Sequence, residues 1–310
     1  LTVLPEAFAS PFVGLLTAVI IYAVGGGMLE VLVSPIIEAC PTDNKEKTMS
    51  LLHSFYCWGH MAVVLLSTLF FMAFGISNWK LLAIIWAIIP IVNAVFFTQV
   101  PIYSLHKEGE KGLTLKELCR NKIFWLMMIM MICSGASEQA VSQWASTFAE
   151  QGLGVSKTVG DLAGPLAFAA LMGTSRLLYG KFGDKLNLNK CMFFSASLCV
   201  ISYLCIALIP VPVIGLIGCA LCGFSVGILW PGTFSKSSAA IKRGGTVMFA
   251  MLALAGDLGC SGGPTLAGLV SGKFNNNLHI GILSAIVFPL ILLLCLLAEK
   301  KKKAIFKDKP

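Results

Sequence analysis

GGGMLEVLVSPIIEACPTDNKEKTMSLLHSFYCWGHM, residues 25–61, consists of two apolar runs joined by a short polar loop that carries Lys45 and Lys47. The first run ends on prolines and the second continues for several helical turns without a turn signal. The pattern recurs. CGFSVGILWP, residues 222–231, aligns with GGGMLEVLVSP at a shift of 196 residues, the distance from Pro35 to Pro231, which also sets Gly223 on Gly27. The same shift places the loop of Lys242 and Arg243 on that of Lys45 and Lys47, and the apolar run from about 245 on the run from about 49. Matching charge and matching runs make this an internal duplication.

Outward from these two copies the chain stays apolar. Of its 310 residues 57% are hydrophobic and 12% charged, and the mean hydropathy is +0.85, whereas a soluble domain carries about a quarter charged residues. A soluble globular enzyme is excluded. Nine stretches are long enough to cross a hydrocarbon core of about 30 Å as helices, and the predicted spans are 12–38, 49–75, 81–102, 123–147, 158–180, 191–209, 213–235, 245–271 and 279–298. The fold class is therefore an all-α, multi-pass membrane protein.

The formal charge is +8, from 23 basic and 15 acidic residues. Its placement sets orientation. Taking alternate loops, nineteen basic residues fall on one side, including Lys45, Lys47, Lys107, Lys111, Lys181, Lys185, Lys242, Lys300 to Lys303, Lys307 and Lys309, against Lys80, Lys157 and Lys273 on the other. Basic residues near span ends are retained in the cytoplasm, so the C-terminus is expected to be cytoplasmic and the chain to lie in the cell membrane. No nucleic-acid partner is implied; the expected partners are a small solute and membrane lipid. The eleven cysteines fall mostly within spans, and Cys219 and Cys222 are read as small packing residues. Leu1 stands where a start methionine would, and no basic leader precedes an apolar run.

A 196-residue half beginning near residue 122 has six spans, so its partner is expected to begin about 75 residues before Leu1 and an intact protein to have twelve, of which about nine are present. The expected organisation is a remainder of an N-terminal helical bundle at 1–102 (the end of its third helix, then helices four to six), a cytoplasmic inter-bundle loop at 103–122, a C-terminal six-helix bundle at 123–298 and a basic cytoplasmic tail at 299–310.

Duplicated halves are a common build for secondary transporters, and here the sequence resembles the major facilitator superfamily. GKFGDKLNLNK, residues 180–190, is similar to the family's cytoplasmic G-x-x-x-D-[RK]-x-G-[RK] loop, with Asn187 to Asn189 where the later glycine would stand. Residues 25–60 resemble the fourth and fifth helices of the fucose permease branch, sugar:proton symporters with the pattern G-x-x-x-E-x-x-x-N-P followed by L-x-x-x-x-x-G. Ser34 occupies the Asn position, and His53 and Tyr56 stand where the branch often carries Gln and Asn. The resemblance implies a monomeric transporter without a cofactor, coupled to protons, in which every third helix is peripheral and the others line a central cavity.

That implication is checkable in the sequence. The third, sixth and ninth spans carry no acid, base or His in their apolar bodies, whereas five of the other six do: Glu30; His53 and His60; Glu138; Asp161 and Arg176; Asp257. A charge at bilayer depth costs about 2.5–3.5 kcal/mol on insertion scales and faces protein or a water-filled cavity. Glu30, between Gly25–Gly27 and Pro35, and Asp257, near mid-depth in a glycine-rich span, are the expected proton-coupling residues; the resemblance gives Glu30 that role. His53 and Tyr56 on one helix face, and Glu138, Gln139, Gln143 and Trp144 in SEQAVSQWAS, offer amide, carboxylate and aromatic chemistry for a sugar and are the expected substrate contacts. Helix packing and interfacial anchoring compete with that reading. By resemblance, Arg176, Asp184 and Lys236 would form a gate on the cytoplasmic side, with surface ion pairing as the competing account. Arg176 is also a candidate partner for Asp257.

Two transport readings stay open: proton-coupled movement of a sugar, and export of amphipathic compounds. A membrane sensor and an intramembrane enzyme are the rival classes. The chain lacks H-E-x-x-H, G-x-S-x-G and an acidic pair at catalytic spacing, so no enzyme and no metal site is expected.

Overall fold

The computed structural model describes residues 2–105 and 112–307, and their regular structure is helical. Lys107, Lys111 and Lys309, counted above with the basic side, lie outside the described residues. One turn, α1 (Leu4–Ala7), rests against the start of α2 (Pro11–Ala39), which begins on a proline whose missing N–H would be unpaired there in any case. The loop of Lys45 and Lys47 becomes the N-terminus of α3 (Lys45–Phe74), where the Asn44 side chain accepts from the Lys47 backbone N–H at 3.0 Å. Gly75, with φ of 77°, ends α3 in a conformation that disfavours any side chain. After a 3₁₀ turn comes α4 (Trp79–Phe97), which stops short of the predicted 102 because Pro101 disfavours helix at Val100.

In the inter-bundle segment, α5 (Leu115–Arg120) is held by a capping box between Thr114 and Glu117, and the Leu113 N–H donates to the Arg243 carbonyl at 2.8 Å. The second bundle follows as α6 (Lys122–Ser142), α7 (Ala145–Leu153), α8 (Lys157–Asp161), a π turn at Leu162–Leu166, α9 (Ala167–Phe182), α10 (Leu188–Leu208), α11 (Pro212–Val226), α12 (Leu229–Ala240), α13 (Gly245–Lys273), α14 (Leu278–Ser284) and α15 (Val287–Lys307). Among the described residues eight helical stretches are long and apolar enough to cross a membrane, and the remaining predicted span, 158–180, falls on α8, the π turn and α9 together. The expected break at residue 298 is not a structural one, since α15 runs on to Lys307.

Prolines explain two interruptions that a hydropathy pattern does not show. Pro165 lacks an N–H and crowds the Asp161 carbonyl, and the ladder widens into the π turn there. Pro231 likewise cannot donate to Gly227, four residues back, and the chain divides into α11 and α12 at Gly227–Ile228. The freed carbonyl becomes part of the site.

The densest packing joins α6 to α13. A Cβ on Gly259 would lie 2.0 Å from the Ile132 carbonyl oxygen, and one on Gly263 2.5 Å from that of Ala136. Gly259 and Gly263 thus serve backbone contact between helices. In the first half, α3 packs mainly on α9 and α12 and α2 on α13, so these helices lean on the second bundle more than on one another. Their remaining surface is apolar and exposed, as suits helices solvated by hydrocarbon.

Candidate functional site

A cavity of about 600 Å³ opens where α2 and α3 meet α6, α9, α12 and α13. Seven residues singled out from the sequence border it: Glu30, His53, Tyr56, Glu138, Gln139, Arg176 and Asp257. They come from five helices and both halves. Three carboxyls and one guanidinium therefore converge on one space among apolar spans.

Arg176 organises its floor. It is buried, and Pro231 has already supplied one of its acceptors, the Gly227 carbonyl, to which Nε donates at 2.8 Å. Nη1 donates to the His53 carbonyl of α3 at 2.9 Å, and Nη2 to Glu138 Oε2 at 3.1 Å. The guanidinium carbon sits 5.8 Å from the centroid of the Tyr56 ring. Ser50 returns a bond across the halves, donating to the Arg176 carbonyl at 2.8 Å. Arg176 is thus both the countercharge of Glu138 and a crosslink between bundles. It is paired with Glu138 rather than with Asp257, and it lies in the cavity floor rather than on the outer face of a gate.

The other two acids differ from Glu138. Glu30 and Asp257 are open to the cavity, and among the described residues neither has a cation within 4.0 Å. His53 is half-buried: its Nε2 is 3.2 Å from Ser34 Oγ and its ring stacks on Phe234 at 5.7 Å. Tyr56 meets His60 edge to face at 6.2 Å. Gln139 lies beside Glu138 on the wall.

Four predicted residues sit elsewhere. Gln143 is exposed at the end of α6, and Trp144 turns away to donate to the Pro264 carbonyl at 3.1 Å, fastening the α6–α7 break to α13. Asp184 pairs with Lys47 at 2.5 Å and accepts from Asn44 at 2.9 Å, so it does join the halves. Those two bonds, Lys47 first, hold its carboxyl below the usual aspartate range. Lys236 pairs with Glu299 and donates to Asn189 at 2.7 Å. Asp161, also noted in the sequence, accepts from Ser146 at 2.5 Å away from the cavity, on the side of Lys157.

The structure adds residues that sequence reasoning passed over. At the lysine-rich end Tyr179 donates to Glu46 at 2.9 Å and Ser238 to Glu38 at 2.6 Å, closing the halves together below the Arg176 floor. Trp230, 7% exposed, is the tryptophan that borders the cavity. The signal for Trp230 was present, since the 196-residue shift sets it on Ser34, one residue before the paired prolines. Among the described residues no group of three His, Cys, Asp or Glu is placed to hold a metal.

Known proteins support the same architecture. The family model described as Major Facilitator Superfamily matches residues 1–264. No curated protein matches the sequence. The fold is similar to a crystal structure of the E. coli fucose:proton symporter, FucP, in a single-residue variant, with a TM-score of 0.74 and 17% identity, covering 92% of this chain and 76% of that one. It is also similar to a Major Facilitator Superfamily transporter, FucP, in the outward conformation, with a TM-score of 0.76, 15% identity and the same 92% and 76% coverage.

Proposed function

The chain belongs to the major facilitator superfamily, and from that premise we propose that it moves a small polar solute, a sugar, across the cell membrane by alternating access coupled to protons. The observation that carries this reading is the convergence of Glu30, Asp257, Glu138 and Arg176 on one cavity at the junction of the halves. Charges at that depth are expensive unless they serve a pathway.

Glu30 and Asp257 face the cavity, among the described residues without a cation within 4.0 Å, and are the groups a proton can reach. The Glu138–Arg176 pair holds the floor closed. Gln139, His53 and Tyr56 offer hydrogen-bonding groups to hydroxyls, and the Trp230 indole offers a flat apolar surface to a pyranose face. The ties of Lys47–Asp184, Glu46–Tyr179 and Glu38–Ser238 keep the lysine-rich end shut, so the cavity belongs to a state open toward the other side. With the lysine-rich end cytoplasmic, that state is the outward-facing one. One proton crossing 100 mV supplies about 2.3 kcal/mol, enough for a solute gradient of roughly 40-fold.

Uptake of labelled hexoses into proteoliposomes, with and without an inward-acid pH gradient, tests the proposal. Gradient-driven uptake that disappears in Glu30→Gln while solute exchange survives is the expected result. Absence of sugar-dependent proton movement, or unchanged coupling in Glu30→Gln, defeats it. Leu29, Val33, Leu52 and Phe55 make one wall of the cavity apolar, which favours a second reading, export of amphipathic compounds; efflux of a lipophilic cation with no response to sugars would select it.

A further inference from the structure

We propose that a second cavity, of about 340 Å³ between α10, α12 and α15, is a binding site for one anionic phospholipid of the lysine-rich leaflet. Its volume is at the lower end of small-molecule sites, about 300 Å³, and its lining is divided by chemistry. Lys190, Lys236, Glu299 and Asn189 supply its charged and polar lining, Phe193 and Leu297 its apolar lining. Lys236 is buried, with 8% of its surface exposed, and is held by Asn189 and Glu299, whereas Lys190 is exposed in the first turn of α10. Among the described lining residues, two ammonium groups stand against one carboxylate, an excess of positive charge that complements a phosphodiester.

The apolar lining identifies the source of that phosphate. Phe193 and Leu297 are 42% and 39% exposed, on two helices long and apolar enough to cross a membrane. A soluble phosphate ester has nothing to place there, but a phospholipid has acyl chains. The sequence continues from Glu299 into Lys300–Lys303, and basic groups beside a membrane attract anionic lipid by about 1 kcal/mol each. In this site the lipid phosphate shares Lys236 with Glu299 and takes Lys190, bridging α10 to α12. This assignment gives Lys236 a role within one bundle and is independent of the transport reading.

Native mass spectrometry of the delipidated full chain in detergent, titrated with phosphatidylglycerol, phosphatidylcholine or glycerol 3-phosphate, tests it. Expected is a first phosphatidylglycerol at least tenfold tighter than phosphatidylcholine, weakened about fivefold or more by Lys190→Glu and by the charge-balanced pair Lys236→Gln with Glu299→Gln, with glycerol 3-phosphate at millimolar concentration failing to displace it. Because Lys190 is exposed, its variant keeps the test valid if the double variant does not fold. Equal lipid affinity in wild type and Lys190→Glu overturns the site. Displacement by glycerol 3-phosphate overturns the lipid as its occupant.

Discussion

Arg176 divides its guanidinium between a carboxylate and two backbone carbonyls, and each partner would be costly to abandon. Removing one member of a buried ion pair costs about 3–5 kcal/mol because the other charge is stranded. Arg176→Met is therefore expected to lower the apparent unfolding temperature in detergent more than Glu138→Gln, which keeps a hydrogen-bonding group. The double variant Arg176→Met with Glu138→Met should recover only part of the loss, since the Gly227 and His53 carbonyls stay unpaired, at about 1–3 kcal/mol each. Full recovery in the double variant would mean that the carbonyl bonds contribute nothing. The sequence marked both residues as ionisable groups at depth, but not as each other's partner: it offered Arg176 to Asp257, and only the placed helices pair it with Glu138.

At the scale of elements, the α6–α13 seam turns on backbone approach. Gly259 faces a carbonyl oxygen that cannot move like a side chain, whereas a Cβ on Gly262, three residues along the same helix, meets nothing within 4 Å. Gly259→Ala should then cost about 1–3 kcal/mol through overpacking, while Gly262→Ala should be neutral or slightly stabilising through helix propensity. Thermal stability of the two proteins side by side checks this, and equal behaviour would refute the close contact. Span existence was legible because some twenty apolar residues can do little else in a membrane. Span continuity was not: Pro165 and Pro231 open a π turn and a helix break, whereas Pro35, Pro90 and Pro264 lie within continuous helices. At Pro231 the freed Gly227 carbonyl is taken by Arg176.

Across the whole molecule, three polar ties at the lysine-rich end and the Arg176 floor above them hold the two halves in one arrangement. In a cysteine-free background, cysteines at positions 38 and 238 joined by a short thiol crosslinker should block solute uptake, and transport that persists in the linked protein would mean these ends need not part. The Asp184 tie should also be pH-dependent. Its carboxyl titrates below the usual aspartate range when folded, so its contribution is present at neutral pH and is lost as pH falls through that lowered value. Labelling of Cys40, near the same face, by a thiol reagent should rise on acidification in wild type relative to Asp184→Asn, in which the tie is absent at every pH; parallel profiles would remove Asp184 from the closure. By itself the sequence determined the membrane class and which helices carry polar groups, because hydrocarbon penalises every misplaced charge and so leaves those choices written in composition. Only the tertiary structure decided which polar groups meet, that Trp230 rather than Trp144 borders the cavity, and that Asp184 meets Lys47 while Lys236 meets Glu299. Such pairings depend on the rotation and depth of packed helices, to which hydropathy is blind.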